Sequence, residues 1–361
     1  MSRPAVARIH LDALTHNLGV MRARVGGARV MAVVKADGYG HGLERVAAAL
    51  AGADAFGVAS LEDAERLRAA GHTHRIVLLS GFVEPADLPR LRELDLDSVV
   101  HHPAQIEMLE AHPPGPGDER LRVWLKLDSG MHRLGFPARD AAHVHARLRA
   151  LPGINGDIVL MTHFANSDVF DDEQTRRQLA TFDQATQGLP GQRSLANSAA
   201  VLGWPMAQAQ WVRPGGALYG ISVVPGMPGT AFGLRPAMTL ASRLIAINPV
   251  EAGEPVGYGA TWHAPEDMRI GVVALGYGDG YPRAAKTGTP MLVDGIEVPV
   301  VGRVSMDLIT LDLRNAPAAA IGSEVVAWGQ GLPVERVAEH AGTIGYELVC
   351  SITRRVRFLE T

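Results

Sequence analysis

Val30-Met31-Ala32-Val33-Val34 is an unbroken apolar run that ends on Lys35 and opens into Ala36-Asp37-Gly38-Tyr39-Gly40-His41-Gly42. A run this short, rich in β-branched residues and closed by glycines, reads as a strand buried on both faces, as in parallel sheets. Outward from it the pattern repeats. Further apolar runs lie at residues 55–59, 76–79, 97–100, 121–125, 157–161, 193–196 and 216–219. Amphipathic stretches such as 43–51, 61–70 and 172–187 fall between them and have helical spacing. Strand–helix alternation repeated about eight times within ~200–250 residues predicts an α/β chain with an N-terminal (β/α)8 TIM-type barrel. A doubly wound open sheet is the competing arrangement.

The pattern changes near residue 236. Strand runs at 239–247, 269–275, 291–293, 297–301, 308–313 and 324–328 follow one another without helices, and 334–341 reads as one short helix. Asp294-Gly295 between two apolar runs is a hairpin signal. The division is therefore a barrel over residues 1–235 and a mainly β C-terminal domain over 236–361, with residues 1–10 candidates for pairing with the second.

Composition narrows the function classes. Lys plus Arg is 34 against 38 Asp plus Glu in 361 residues, so the net charge of −4 gives no footprint for nucleic acid or an anionic membrane. The single cysteine, Cys350, excludes an intrachain disulfide framework and a cysteine zinc site, and points to a reducing compartment. No segment approaches the ~20 apolar residues that span a bilayer. The opening residues lack the apolar stretch of a signal peptide, so a cytoplasmic protein is expected. His72/His74 and His143/His145 are spaced by two, which separates them around a helix, and no metal site is expected.

In a barrel, functional side chains project from the C-terminal strand ends. Lys35 sits at such an end, where lost solvation favours a neutral, nucleophilic amine able to form a Schiff base; taken alone, a lysine snorkelling to water is the favoured reading. Two segments suit an anion. Asn197-Ser198 opens a helix, and Arg213-Pro214-Gly215-Gly216 offers backbone amides without Cβ obstruction, although Gly-Gly is also an ordinary turn. Together with a strand-end lysine they suggest pyridoxal 5'-phosphate (PLP).

These residues carry a resemblance. The run from Val33 to Gly42 is similar to the pyridoxal-phosphate attachment signature of alanine racemases. So, in order, are residues 126–135, Thr162-His163-Phe164-Ala165, Asn197-Ser198-Ala199, Val212-Arg213-Pro214-Gly215, 257–261, 276–280 and 302–307. The resemblance covers nearly the whole chain. It implies a fold-type III PLP enzyme, barrel plus β domain, that interconverts L- and D-alanine by two-base proton transfer as a head-to-tail homodimer. D-alanine supply for cell-wall peptidoglycan, or alanine catabolism, is the role implied. Lys35 would hold the cofactor as an internal aldimine and act as one catalyst, with Tyr258 from the opposite subunit as the other; opposed proton carriers suit inversion at Cα. Arg213 would bond to the pyridine nitrogen and, keeping its proton, leave that nitrogen largely unprotonated. His163 would face the ring and reach toward Arg213. Tyr39, Asn197, Ser198 and the amides of Gly215 and Gly216 would serve the phosphate. Arg133 would contact the cofactor's phenolic oxygen and the substrate carboxylate, oriented by Lys126, which is carbamylated in many members. Met306 and Asp307 would border the substrate, and Tyr277 and Arg283 the entry corridor. Two departures stand out: Arg354 where some members carry a gate tyrosine, and Gly216 where a bulkier aliphatic is common. A broader-specificity amino-acid racemase, or a PLP-dependent decarboxylase of the same architecture, is the alternative; the decarboxylase would need an acid where Arg213 stands. A non-catalytic PLP carrier would be a barrel alone.

Overall fold

The computed structural model describes residues 3–117 and 119–361. Two compact units make up the chain, one formed by Leu18–Gly38 and Gly42–Leu218, the other by residues 3–17, Tyr39–His41 and Tyr219–Thr361.

The first unit is a closed parallel barrel. Its strands are Arg29–Val33, Ala55–Val58, Arg75–Leu78, Leu96–Val100, Arg122–Asp128, Val159–Met161, Arg193–Asn197 and Trp211–Arg213. Each pairs with the next in chain order, and Trp211 returns to lie opposite Arg29, which closes the ring. Helices such as Leu43–Ala49, Leu61–Ala69 and Glu173–Thr186 follow the strands. Ser60 and Asp172 cap the last two, each side chain accepting an N–H from the helix's first turn. The barrel interior is filled by Met31, Ala55, Val77, Val99, Trp124, Val159, Met161 and Trp211. Ala55, Val77, Val99 and Val159, small or β-branched residues on four of the strands, leave room for the two indoles, whose ring centroids are 5.4 Å apart.

One expectation fails. The eighth strand is Trp211–Arg213, whereas residues 216–219, read as that strand from sequence, form a 3-10 turn. Three residues followed by Pro214 are too short a run to register as a strand, and Gly215-Gly216 turns the chain immediately afterwards.

The second unit is built on one long strand, Met238–Val250. It pairs antiparallel with Val6–Ile9 and Glu324–Trp328 along its first half and with Met268–Val273 along its second. Register shifts near Leu240 and Leu244 allow it to serve both groups of neighbours. Val6–Ile9 also runs parallel to Arg357–Glu360. Pro290–Val293 and Ile296–Pro299 form the hairpin read from Asp294-Gly295, whose positive φ values of 48° and 83° are those of a primed turn. Val334–Ala341 is helical. The chain enters this unit at Tyr219, ahead of the change in strand pattern near residue 236. Among the described residues, no helix is long and apolar enough to cross a membrane.

Candidate active site

The first barrel strand ends in an unusual piece of backbone. From Ala36 to Gly40 every φ is positive, at 54°, 54°, 62°, 51° and 74°, so the chain makes a left-handed turn directly after Lys35. L-residues resist this conformation at roughly 1–2 kcal/mol each, and here Ala36, Asp37 and Tyr39 adopt it. The turn is held from several sides. Val34 N–H donates to Gly57 O, and Gly42 N–H to Asp37 O. The Asp37 carboxylate accepts from Leu43 N–H at 3.1 Å and from Arg66 at 2.8 Å. Strain concentrated in this way marks a functional segment. Lys35 itself is exposed in the single chain, so the desolvation expected from its place at a strand end is not supplied by the barrel alone.

Around the C-terminal strand ends cations accumulate, with Asp128 the acid that acts on Lys126. Arg213, the last residue of the eighth strand, is 4% exposed. It donates to Ser194 Oγ at 2.7 Å, Thr162 O at 2.7 Å, Leu195 O at 3.3 Å and His163 Nδ1 at 3.4 Å. Its Nε–H has no protein partner, and no carboxylate forms an ion pair with it, among the described residues. Burial pulls it down to about 10, so it stays protonated at neutral pH. Lys126, 7% exposed, falls to about 8 through burial and then through Arg213, Arg133 and Lys35, with only Asp128 opposing. The His163 imidazole is pushed well below its ordinary range by burial and by the same four cations, so it is neutral.

The loop that carries Arg133 is folded by Asp128, whose carboxylate accepts the N–H groups of Gly130, Met131 and His132 at 2.9–3.0 Å. Gly135 is required in this loop. Its φ is 132°, and a Cβ there would stand 2.6 Å from Asp128 N. Arg133 is exposed.

Asn197 caps the helix Ser198–Gly203, its Oδ1 accepting Ala200 N–H at 3.0 Å. Ser198 Oγ accepts from Gly215 N–H at 2.8 Å and from Ala217 N–H at 3.2 Å. The Gly215 amide is thus already engaged, while the buried Gly216 N–H has no protein partner among the described residues. A donor without a protein partner, next in the chain to amides that a serine hydroxyl organises and at a barrel end rich in cations, fits an oxyanion. The orphaned Nε–H of Arg213 fits a neutral ring-nitrogen acceptor. The barrel residues therefore fit PLP.

The other candidates belong to the second compact unit. Tyr39 stacks on Tyr219 with centroids 4.6 Å apart and meets the edge of Tyr346 at 5.8 Å. Burial, with a further contribution from Cys350, raises its pKa, so it remains a phenol. Tyr258 lies on a 3-10 turn flanked by Gly257 and Gly259, both at positive φ, and is 71% exposed. Tyr277 and Met306 are carried on two loops stitched by Tyr277 N–H to Ser305 O and Gly278 N–H to Met306 O. Asp307 is engaged elsewhere: Arg355 binds its carboxylate, and Arg3 NH1 stands 3.4 Å from the same oxygen. Arg283 lines a cavity of about 300 Å3 with Lys286 and Arg303. Sequence reasoning gave no role to Arg303, or to Arg3, Asp279 and Arg355, which tie these loops together. Thr162 and Ser194, which hold Arg213, were also missed; Thr162, Asp279 and Arg303 lie in quoted motifs, and Arg3, Arg355 and Ser194 carry no local signal.

Known proteins share this sequence and architecture. The chain matches the alanine racemase N-terminal domain over residues 9–223 and the alanine racemase C-terminal domain over residues 237–359. It is 55% identical over 350 residues to alanine racemase of Shewanella putrefaciens, covering 97% of each chain. Among solved structures, the biosynthetic alanine racemase of Pseudomonas aeruginosa superposes with a TM-score of 0.96 at 44% identity, covering 99% of both chains. Alanine racemase from Bartonella henselae with covalently bound pyridoxal phosphate superposes at 0.89, with 25% identity and 99% coverage of both. The chain belongs to the alanine racemase family, isomerases that interconvert L- and D-alanine.

Proposed function

We propose that this racemase works with PLP held at the barrel mouth through Lys35, and that Lys35 and Tyr258 of a second copy carry the two protons. The observation that supports this most is the mouth itself: Lys35, Arg133 and Arg213 all lie close enough to act on Lys126, and the four act on His163, while Arg213 forms no ion pair with an acid among the described residues. When bound, PLP supplies a carbonyl for Lys35 and an electron-withdrawing ring that acidifies the substrate Cα–H. Ser198 and the Gly216 amide would hold its phosphate, and Tyr39, Asn197 and the Gly215 backbone would be its further ligands. Arg213 would donate to the ring nitrogen and, retaining its proton, would limit how strongly charge is drawn from Cα, which favours return of the proton over other fates. His163, kept neutral, would face the ring without adding positive charge.

Arg133 receives the alanine carboxylate. Lys126, with a substantial neutral fraction near pH 8, orients Arg133 as a carbamate: Nζ bonds to the carbon of CO2 and one N–H proton leaves to solvent. Lys35 Nζ takes or returns the proton on one face of Cα, and the Tyr258 hydroxyl does so on the other. Met306 and Asp307 border the substrate, and Tyr277 and Arg283 line its approach. The 71% exposure of Tyr258 in a single chain supports a head-to-tail homodimer in which each copy completes its partner's site. The single cysteine supports a cytoplasmic setting.

Two variants test the reading. Lys35→Ala should abolish the visible absorbance of the PLP-loaded protein. Tyr258→Phe should keep that absorbance and lower kcat by roughly 10²–10⁴-fold. Co-expressed, the two should give heterodimers with one intact and one doubly defective site, and so about half the wild-type activity per heterodimer. Inactive heterodimers would refute the shared site; visible absorbance in Lys35→Ala would refute the attachment.

A further inference from the structure

At the opposite, N-terminal end of the barrel, a second set of cations stands apart from the racemase site. Arg29, Arg75 and Arg122 open the first, third and fifth strands, and with Asn155, Asp157 and Gln192 they line a cavity of about 390 Å3. Inward residues of alternate barrel strands share a layer, and here that layer consists of guanidiniums. They rest on the indole pair: Arg29 Cζ lies 4.2 Å from the Trp211 ring centroid, and Arg75 Cζ lies 5.5 Å from Trp211 and 5.7 Å from Trp124.

The acids nearby neutralise this layer incompletely. Asp97 is fully buried and accepts from Arg75 Nε at 2.5 Å, Arg122 Nε at 2.6 Å and Trp124 Nε1 at 2.7 Å. Arg122 also reaches Asp95. Asp54, close enough to act on Arg29, is bound instead by Arg22 and by Val30 N–H. Arg29 forms no ion pair among the described residues. Its terminal nitrogen meets Gln192 Oε1, an oxygen that also accepts from Trp211 Nε1 at 2.8 Å. Arg75 uses only Nε, so its two terminal NH2 groups, and the remaining donors of Arg29, have no protein acceptor among the described residues. Burial and the neighbouring Arg75 both disfavour charge on Arg29.

We propose that this cavity is a binding site for a small oxyanion bearing phosphate or carboxylate groups, held bidentately by Arg29 and Arg75 with Gln192 and Asn155 at its edge. A guanidinium presents paired donors whose spacing matches two oxygens of either group. The anion would fill the vacant donors and relieve the repulsion between two cations fixed over one indole. Asp157 at the rim opposes it, which sets the sign of one test.

The test uses the PLP-loaded enzyme, so that the phosphate-binding elements of the racemase site are already engaged. In a chloride buffer, inorganic phosphate and succinate are titrated separately while tryptophan fluorescence is followed, because Trp124 and Trp211 lie beneath the guanidiniums. A saturable change with phosphate identifies the phosphate-bearing class, and one with succinate the dicarboxylate class. Arg29→Gln should weaken binding roughly tenfold to a hundredfold, as expected for loss of a charge-assisted pair, and Arg29→Lys should restore part of it. Racemase activity of each variant, which this site does not touch, verifies folding. Asp157→Asn should tighten binding. Absence of saturation with both anions up to about a hundred millimolar, affinity unchanged in Arg29→Gln, or weaker binding in Asp157→Asn would each overturn the assignment.

Discussion

Asp279 gives a sharp mechanical test of the second unit. Its side chain is completely buried, and it accepts from Arg3 Nε at 2.7 Å, from Arg3 NH2 at 2.5 Å and from Gly276 N–H at 2.9 Å, with Arg355 Nε at 3.5 Å. In Asp279→Asn the shape survives, but one oxygen becomes an NH2 group that faces either a guanidinium or an amide, donor against donor. A fully buried pair broken from one side costs about 3–5 kcal/mol. Arg3 is partly solvated, which lowers the expected loss to about 2–4 kcal/mol. Equilibrium urea unfolding at fixed protein concentration, with wild type, Asp279→Asn, Arg3→Met and the double variant, measures both this loss and the coupling. The coupling should exceed about 1 kcal/mol, because each single change already removes the pair. Because Gly276 N–H hangs on Asp279 and Tyr277 N–H on Ser305 O, the loop bearing Tyr277 should loosen, and KM for alanine should rise more than kcat falls. A loss below about 1 kcal/mol with additive single changes would refute the view that this pair fixes the loops.

Two further outcomes follow from the barrel unit and its strained turn. Lys126 as the free amine is depressed from its ordinary value to about 8, so between pH 8 and about 10.5 the unfolded chain binds the extra proton and stability rises with pH; Lys126→Met should remove that rise, on the order of 3 kcal/mol, in urea titrations of cofactor-free protein in CO2-free buffer, where Nζ is unmodified, and a persisting rise would count against the burial argument. Ala36→Gly should leave stability unchanged or raise it by up to about 1 kcal/mol, since glycine adopts φ 54° freely, whereas Gly40→Ala places a Cβ 2.3 Å from Val349 O and should destabilise by more than about 3 kcal/mol; equal urea midpoints for the two would contradict this account.

The barrel was legible because its strands are periodic and short, and its β domain because strands there follow one another without helices. What escaped was short or non-local. Trp211–Arg213 is a strand because it pairs with Arg29–Val33 on one side and Arg193–Asn197 on the other, and no local pattern records that. Residues of the site were legible where one motif holds both the side chain and the turn that aims it, as in residues 33–42. Ser198 was read as a phosphate ligand, yet its Oγ also organises the Gly215 and Ala217 amides, a role that depends on two segments meeting. Arg3 is separated by 276 residues from Asp279, and neither end announces the other.

The two ends of the barrel treat the same kind of charge in opposite ways, and the difference locates the chemistry. At the N-terminal end Asp97 and Asp95 are interleaved with Arg75 and Arg122, so most of that positive charge is compensated inside the fold. At the other end Arg213 is held by carbonyl and hydroxyl oxygens and the His163 imidazole, with no carboxylate, and Asp128 is largely turned to its own loop's amides and His132. The overall net charge of −4 conceals this segregation. A carboxylate beside Arg213 would satisfy the guanidinium in the free chain and compete with any acceptor arriving later. Its exclusion keeps Lys126 and His163 poised toward their neutral forms and leaves Arg213 Nε–H and Gly216 N–H open. On the proposed reading, an anionic, ring-bearing group would complete this charge balance on binding, and the cations that disfavour charge on Lys126 and His163 in the free chain would be the contacts that hold it.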